Sequence, residues 1–203
     1  IMAKAGISTR LIRFVDTCVG HRKGGIANVC IIVACFFGAI SGSGPATVAA
    51  LGAVLIPAMI ERGGFSAAFS TALMATSSSI AIVIPPSIAF VVYASITGVS
   101  IGDMFMAGII PGILMGLALV VVVMLEVRRN HVVPSNVEKA SAKERWNAFK
   151  DAFWGFLMPV IILGGIYGGI FTPTEAAAVS VVYGLFVGMI IYKEVKFKDL
   201  WEI

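Results

Sequence analysis

Charged residues are scarce in this sequence, and long stretches of it carry none. Only 13% of the 203 residues are Asp, Glu, Lys or Arg, whereas 59% are hydrophobic and the mean hydropathy is +0.98. A soluble domain carries about 25% charged residues, so this composition excludes an ordinary water-soluble protein. The uncharged runs cover residues 63–102, 104–125, 152–174 and 176–192. They predict an all-α polytopic membrane protein.

Histidine and cysteine are rare as well, which limits the chemistry available. The two histidines, His21 and His131, lie in polar segments away from the serines of the apolar runs, and no nucleophile elbow or phosphate-binding lysine motif occurs. We therefore expect no enzyme activity, no cofactor and no transition-metal site. Of three cysteines, Cys30 and Cys35 lie in apolar sequence, which favours small buried side chains over a disulfide framework.

Basic residues exceed acidic ones, 15 to 11, but they stand at the ends of apolar runs. This pattern is typical of topology signals and of contact with anionic membrane lipid, not of nucleic-acid binding. All 15 fall on one side, the cytoplasmic one, if residues 67–97 and 155–171 cross outward and residues 104–125 and 176–192 return. Two basic amphipathic segments, around residues 7–18 and 146–153, predict interfacial helices; helices that bind a soluble partner are the alternative.

The run from Gly24 to Ile60 has 37 uncharged residues with Ser-Gly-Ser-Gly-Pro at its centre, residues 41–45. Each arm, Ile26–Ile40 and Ala46–Ile60, has 15 residues. Such an arm reaches about 22 Å, against a hydrocarbon core of about 30 Å. Basic residues flank both ends, so we expect a re-entrant helical hairpin with its broken tip deep in the membrane. Irregular backbone at that depth must be buried in protein or line an aqueous cavity.

A second break is expected within residues 67–97. As one helix these 31 residues would be far longer than the hydrocarbon core. Pro85 and Pro86 lack amide donors and clash with the preceding turn, so the helix should break near Val83 to Ser87. A discontinuous helix beside a broken hairpin is typical of binding sites in secondary transporters.

The two breaks offer neutral oxygens and helix N-termini. Hydroxyl and carbonyl oxygens without a carboxylate suit Na⁺, and the lack of an ionisable side chain in both elements favours sodium over protons. The N-termini expected at Ala46 and Ile88 carry partial positive charge and suit a carboxylate substrate. The predicted sodium ligands are Ser41, Gly42, Ser43, Gly44, Thr47, Ser79, Pro85 and Ser87. The predicted substrate contacts are Pro45, Ala46, Pro86 and Ser87. Purely structural serines, an ion channel with re-entrant loops and a scaffolding protein are the alternatives.

Four segments in order, GAISGSGPATVAALG (38–52), IPPSIAFVVYA (84–94), GDMFMAGIIPGILMG (102–116) and YGGIFTPTEAAA (167–178), resemble the large membrane subunit of tripartite ATP-independent periplasmic (TRAP) transporters. The resemblance implies a sodium-driven symporter of organic acids in a bacterial or archaeal inner membrane. A periplasmic substrate-binding protein would deliver the acid, and a small membrane subunit of Q type would brace the large one. The acid would be a sialic acid or a C4-dicarboxylate, and the overall resemblance leans slightly to sialic acid.

The resemblance also implies an elevator built from inverted repeats. Residues 1–23 would be the end of a scaffold span and an amphipathic arm, and residues 24–125 the transport domain of the first repeat. That domain would comprise the hairpin 24–62, the broken helix 67–97 and the span 104–125. Residues 126–154 would form a cytoplasmic loop with an amphipathic helix, and residues 155–203 the start of the second repeat. We expect the chain to be a fragment that lacks the second hairpin.

Overall fold

The computed structural model describes residues 6–130 and 139–195, and within these ranges the chain forms helices and no strands. The helices are α1 (Ile7–Val19), α2 (Gly25–Ser41), α3 (Gly44–Glu61), α4 (Ala67–Ser79), α5 (Ile88–Thr97), α6 (Ile101–Arg129), α7 (Ala142–Tyr167) and α8 (Pro173–Phe186). A 3-10 turn, Ile80–Ile82, follows α4, and a π-helical turn, Val187–Ile191, extends α8. Four described helices are long and apolar enough to cross a membrane: α3, α6, α7 and α8 with its extension. The all-α polytopic prediction is confirmed. Lys4, His131, Lys196 and Lys198 lie outside the described residues.

Helices α2 and α3 form a hairpin closed by two residues, Gly42 and Ser43. Gly42 is left-handed, with φ 62°, and Ser43 is extended. The open ends of the hairpin lie together, because a Cβ on Gly63 would stand 2.6 Å from the Ile26 side chain. The sequence therefore placed the hairpin and its tip correctly. Its re-entry from one side of the membrane stays a prediction.

The helix expected to break does so. Residues 83–87 are non-helical between the 3-10 turn and α5, and the Pro85–Pro86 peptide bond is cis. The Ser87 hydroxyl accepts a hydrogen bond from the amide of Phe90 at 3.4 Å and so caps α5. The break predicted near Val83 to Ser87 is confirmed.

Helix α6 runs alongside both broken elements. At its C-terminal half, a Cβ on Gly24 would stand 2.8 Å from Val127. Near its start, a Cβ on Gly108 would stand 2.4 Å from the Val83 carbonyl oxygen. Gly108 is the eighth residue of α6, about 10 Å along the helix axis. The hairpin base thus lies at the basic end of α6, and the break packs beside the body of the helix.

Helix α1 packs across the base of the hairpin and against α7. Its apolar face, Ile7, Leu11 and Val15, is buried, as the amphipathic pattern predicts. Phe14 contacts Phe156 of α7 with ring centroids 5.4 Å apart, in an edge-to-face arrangement. Asp16 accepts a hydrogen bond from Arg62 at 2.9 Å. Helix α1 therefore ties the hairpin base to α7.

The predicted amphipathic segment at 146–153 and the predicted span from 155 are one continuous helix, α7. A capping box starts it: the Ser141 hydroxyl accepts from the Glu144 amide, and the Glu144 carboxylate accepts from the Ser141 amide. The helix then continues to Tyr167 without a break, because even Pro159 is accommodated inside it. The expected boundary near residue 154 is therefore not a helix end.

Candidate functional site

The hairpin tip and the broken helix meet through their main chains. The Ile88 amide donates a hydrogen bond to the Gly42 carbonyl at 3.3 Å. A Cβ on Gly42 would stand 2.6 Å from the Pro86 carbonyl oxygen, so only glycine fits this left-handed position. A Cβ on Gly44 would stand 3.1 Å from the Ser78 carbonyl oxygen. The two breaks form one site.

Three oxygens cluster at the tip. The Thr47 hydroxyl donates to the Ser43 carbonyl at 2.8 Å, and the Ser41 hydroxyl lies 3.2 Å from the Thr47 hydroxyl. The distance from the Ser41 hydroxyl to the Ser43 carbonyl is 3.4 Å. Neighbouring oxygens of an octahedral shell at about 2.4 Å from a cation are about 3.4 Å apart. Two of the three spacings are close to that value, and a cation here would replace the hydrogen bond from the Thr47 hydroxyl to the Ser43 carbonyl.

Most of the predicted ion ligands come together, and one does not. Ser41, Gly42, Ser43, Gly44 and Thr47 form the tip, and Thr47 is fully buried there. Pro85 and Ser87 lie in the break that contacts the tip, and both are buried.

Ser79 differs from these residues. It is exposed at the end of α4, and its hydroxyl donates to the Ala75 carbonyl of its own helix at 3.3 Å. Its hydroxyl is therefore engaged within α4 and not at the tip.

A cavity of about 430 Å³ opens beside the tip and the break. Ser41, Gly42, Pro86 and Ser87 line it on one side. The other side is built by α5 to α8, with Ser95, Phe105, Ile162, Ile166, Thr174 and Ser180. Its described lining carries no charged side chain. A volume of this size is typical of small-molecule sites.

Of the four predicted substrate contacts, two line the cavity and two do not. Pro86 and Ser87 line the cavity. Pro45 and Ala46 are exposed in the first turn of α3 and do not line it. The substrate role of Pro45 and Ala46 stays a prediction, without support from the cavity.

Three helices begin at the cavity, α5, α6 and α8, and α6 carries the acidic Asp103 in its first turn. Helix α5 starts at Ile88 with a serine cap and no acidic residue in its first turn, so its partial positive charge is not offset there. Helix α8 starts at Pro173, but the Glu175 carboxylate accepts a hydrogen bond from the Thr172 amide at 2.8 Å. The start of α5 is therefore the better position for an anion in this cavity.

The sequence did not identify Ser95, Thr174 and Ser180 as cavity residues. Ser95 lies in α5, and Thr174 and Ser180 both lie in α8, in the second half of the chain. A lone Ser or Thr more often bonds its own helix, as Ser180 does to the Ala177 carbonyl at 2.7 Å. No local signal separates such residues from structural ones.

Metal-binding clusters of another kind are missing from residues 6–130 and 139–195. Nowhere in these ranges do three His, Cys, Asp or Glu side chains come together in a way that could hold a metal ion.

Comparison with known proteins gives the family context. Residues 1–203 match the sequence model of the tripartite ATP-independent periplasmic transporter, DctM component. The chain is 44% identical over 198 residues to the C4-dicarboxylate TRAP transporter large permease protein DctM of Pseudomonas aeruginosa, covering 98% of this chain and 46% of that protein.

Two further relatives carry other substrate names. The chain is 45% identical over 201 residues to the isethionate TRAP transporter permease protein DctMQ of Oleidesulfovibrio alaskensis, covering 99% of this chain and 31% of that protein. It is 38% identical over 203 residues to the 2,3-diketo-L-gulonate TRAP transporter large permease protein YiaN of Escherichia coli K12. That match covers 100% of this chain and 47% of YiaN. The chain thus spans about half the length of the large permease proteins it matches, and about a third of DctMQ.

Proposed function

This chain belongs to the DctM component family of tripartite ATP-independent periplasmic transporters, and from that membership we propose that it is part of a permease that couples sodium entry to the import of an organic acid. Its relatives are named as transporters and not as enzymes. With four apolar helices long enough to cross a membrane, it is a multi-pass protein of the cell inner membrane.

The oxygen cluster of Ser41, Ser43 and Thr47 is the observation that carries the sodium proposal. Its oxygens are uncharged, lie within 3.4 Å of one another and sit where a broken hairpin contacts a broken helix. Neutral oxygens satisfy a weakly charged hard cation without the excess charge that a carboxylate site supplies to Ca²⁺. A sodium ion in this cluster would bind the hairpin tip, which contacts the broken helix through the hydrogen bond from the Ile88 amide to the Gly42 carbonyl.

The substrate proposal rests on the cavity and on the start of α5. An acid in the cavity would place a carboxylate at the α5 N-terminus, close to the Ser41 and Ser87 hydroxyls. We propose a C4-dicarboxylate or a related small organic acid, because relatives 38–44% identical are named for C4-dicarboxylates. Sialic acid, to which the overall sequence resemblance leans, is the competing substrate in the test below.

The assembly we propose follows the resemblance described above. A periplasmic binding protein delivers the acid, a small Q-type subunit braces the permease, and the first-repeat domain moves as an elevator. The name DctMQ of the Oleidesulfovibrio relative suits a permease with the small subunit fused to it, so the small subunit belongs in every experiment.

Reconstituted uptake tests these proposals. The complete permease, with its small subunit and binding protein, is placed in liposomes, and uptake of labelled succinate and of labelled sialic acid is measured. We expect succinate uptake only with an inward sodium gradient and with the binding protein present. Uptake that is equal with potassium in place of sodium would contradict the coupling. Ohmic conductance without binding protein would favour the channel, and preference for sialic acid would reverse the substrate proposal.

A further inference from the structure

A polar pocket of about 560 Å³ lies at the other end of α7 and α8 from the candidate substrate cavity. We propose that it binds the phosphate of an anionic phospholipid whose acyl chain lies along α8. The pocket is formed where α1, α7 and the end of α8 meet. Six of its lining residues carry the argument: Arg10, Arg13, Lys150, Asp151, Trp154 and Tyr192.

The charges of the pocket are divided between its wall and its opening. Arg10 belongs to the wall: its guanidinium lies 2.7 Å from the Glu194 carboxylate and 3.8 Å from the centre of the Tyr192 ring. The Tyr192 hydroxyl donates to the Asp151 carbonyl at 2.6 Å. These contacts fix the end of α8 against α1 and α7, so the pocket is built and not a chance gap between side chains.

Arg13 and Lys150 are the cations available to a phosphate. The Arg13 guanidinium is 3.8 Å from the nearest Asp151 carboxylate oxygen, longer than a hydrogen bond of about 2.7–3.2 Å, so that pair leaves donors for a ligand. The Lys150 ammonium lies 5.5 Å from the centre of the Trp146 ring, which is itself exposed. Trp side chains collect at the level of the lipid headgroups, so this end of the molecule lies where phosphates are.

An apolar groove continues the site along α8. It has a volume of about 500 Å³ and is lined by Ala178, Val179, Val182, Tyr183 and Phe186. The Tyr183 hydroxyl donates to the Trp154 carbonyl at 2.8 Å, and Trp154 lines the polar pocket. This hydrogen bond places the groove beside the segment of α7 that lines the pocket. A phosphate site joined to an apolar groove fits a phospholipid, whereas inorganic phosphate uses only the first part.

The location agrees with the charge pattern of the chain. Basic pockets between membrane helices at the cytoplasmic side bind the headgroups of anionic lipids. This inference concerns lipid binding and does not depend on which acid or ion is transported, so its failure and that of the proposed function are separable.

Native mass spectrometry of the complete permease tests the proposal. The protein is purified from nanodiscs that contain phosphatidylcholine and phosphatidylglycerol, and the retained lipids are counted. We expect phosphatidylglycerol to be retained over phosphatidylcholine. The double variant Arg13→Ala with Lys150→Ala should retain about 10- to 30-fold less, as expected for two cations near a lipid headgroup.

Two matched variants separate the parts of the site. The control double variant Lys23→Ala with Lys143→Ala removes two exposed basic residues outside the pocket and should retain phosphatidylglycerol as the wild type does. Ala178→Trp fills the groove without changing any charge and should also reduce retention. Inorganic phosphate at millimolar concentration should not displace the lipid.

Four outcomes would overturn the proposal. An equal loss in the control variant would show general attraction between charges and headgroups. Displacement by inorganic phosphate, or full retention in Ala178→Trp, would show an anion site without an acyl groove. If the pocket variants do not fold, the wild type alone decides, because equal retention of both lipids would contradict a phosphate-selective site.

Discussion

At the scale of single residues, the oxygen cluster at the hairpin tip combines two side-chain hydroxyls with one main-chain carbonyl. Thr47 and Ser41 bring hydroxyls to the tip cluster, whereas Ser43 brings its carbonyl oxygen. The Ser43 hydroxyl instead accepts from the Ala46 amide at 3.5 Å. The sequence identified all three residues, but their different contributions depend on how the tip closes, which residue type alone does not determine.

Thr47 is the most direct test of the ion site among these residues. Thr47→Val keeps the shape of the side chain and removes the hydroxyl, so we expect the sodium concentration for half-maximal uptake to rise about tenfold, as losing one bond to a charged group costs about 1.5 kcal/mol. Thr47→Ser is the control and should retain the wild-type value. Ser43→Ala, which keeps the carbonyl, should have a smaller effect. Identical sodium dependence in Thr47→Val and Thr47→Ser would exclude the hydroxyl as a ligand.

Gly42 tests the contact between the tip and the break. A Cβ there meets both a left-handed backbone and the Pro86 carbonyl at 2.6 Å, whereas Gly98 is left-handed, φ 74°, with nothing within 4 Å of its Cβ position. Gly98→Ala should therefore cost about 1 kcal/mol from backbone strain alone and keep sodium-driven uptake. Gly42→Ala should lose uptake in addition. Thermal unfolding and uptake of both variants check this, and equal behaviour of the two would contradict the close contact.

At the scale of helices, the sequence predicts where the two helix breaks lie, but it misplaces several helix ends. Two prolines in sequence and a Ser-Gly-Ser-Gly-Pro segment interrupt a helix whatever surrounds them, so residues 41–45 and 83–87 were readable. The spans expected to begin at residues 104 and 176 begin earlier, because Asp103 and Glu175 sit in first helical turns that favour an acidic residue. A charge that was taken as the limit of a span is therefore part of its helix.

Helix α6 positions the break through glycines. A Cβ on Gly108 would press on the Val83 carbonyl oxygen at 2.4 Å, a backbone atom that cannot rotate away. Gly102, near the start of the same helix, has only the Ser100 hydroxyl at 3.7 Å, which is ordinary contact. Gly108→Ala should displace the break, cost about 1–3 kcal/mol and weaken sodium-dependent uptake. Gly102→Ala should change neither stability nor uptake. Wild-type sodium dependence in Gly108→Ala would show that the break does not rely on this packing.

At the scale of the whole molecule, the basic segments gather around α1. Arg62 at the hairpin base pairs with Asp16, and Glu194 after α8 pairs with Arg10. Charge alone predicts that the basic residues share one side of the membrane, and that sidedness stays a prediction. The cavity was not readable in the same way, because its lining from α7 and α8 depends on packing between helices distant in the sequence.

Sidedness is measurable in intact cells. Single cysteines replace Lys23 and Arg62 at the hairpin base in the complete permease, and Val99 at the opposite connection serves as the control. A membrane-impermeant maleimide added from the periplasm should label the Val99 position and leave the other two unlabelled, because both hairpin ends are predicted to be cytoplasmic. Labelling at positions 23 and 62 would overturn the cytoplasmic placement of the hairpin ends.

The central claim is that two interruptions inside the membrane hold one sodium ion, and a high-resolution cryo-electron microscopy map of the complete permease tests it most directly. Maps are compared in sodium chloride and in choline chloride. The account predicts non-helical backbone at Gly42–Ser43 and at residues 83–87. It also predicts density about 2.4 Å from the Ser41, Ser43 and Thr47 oxygens in sodium alone. Uninterrupted helices through these segments, or a tip closed identically in both salts with no ion density, would contradict it.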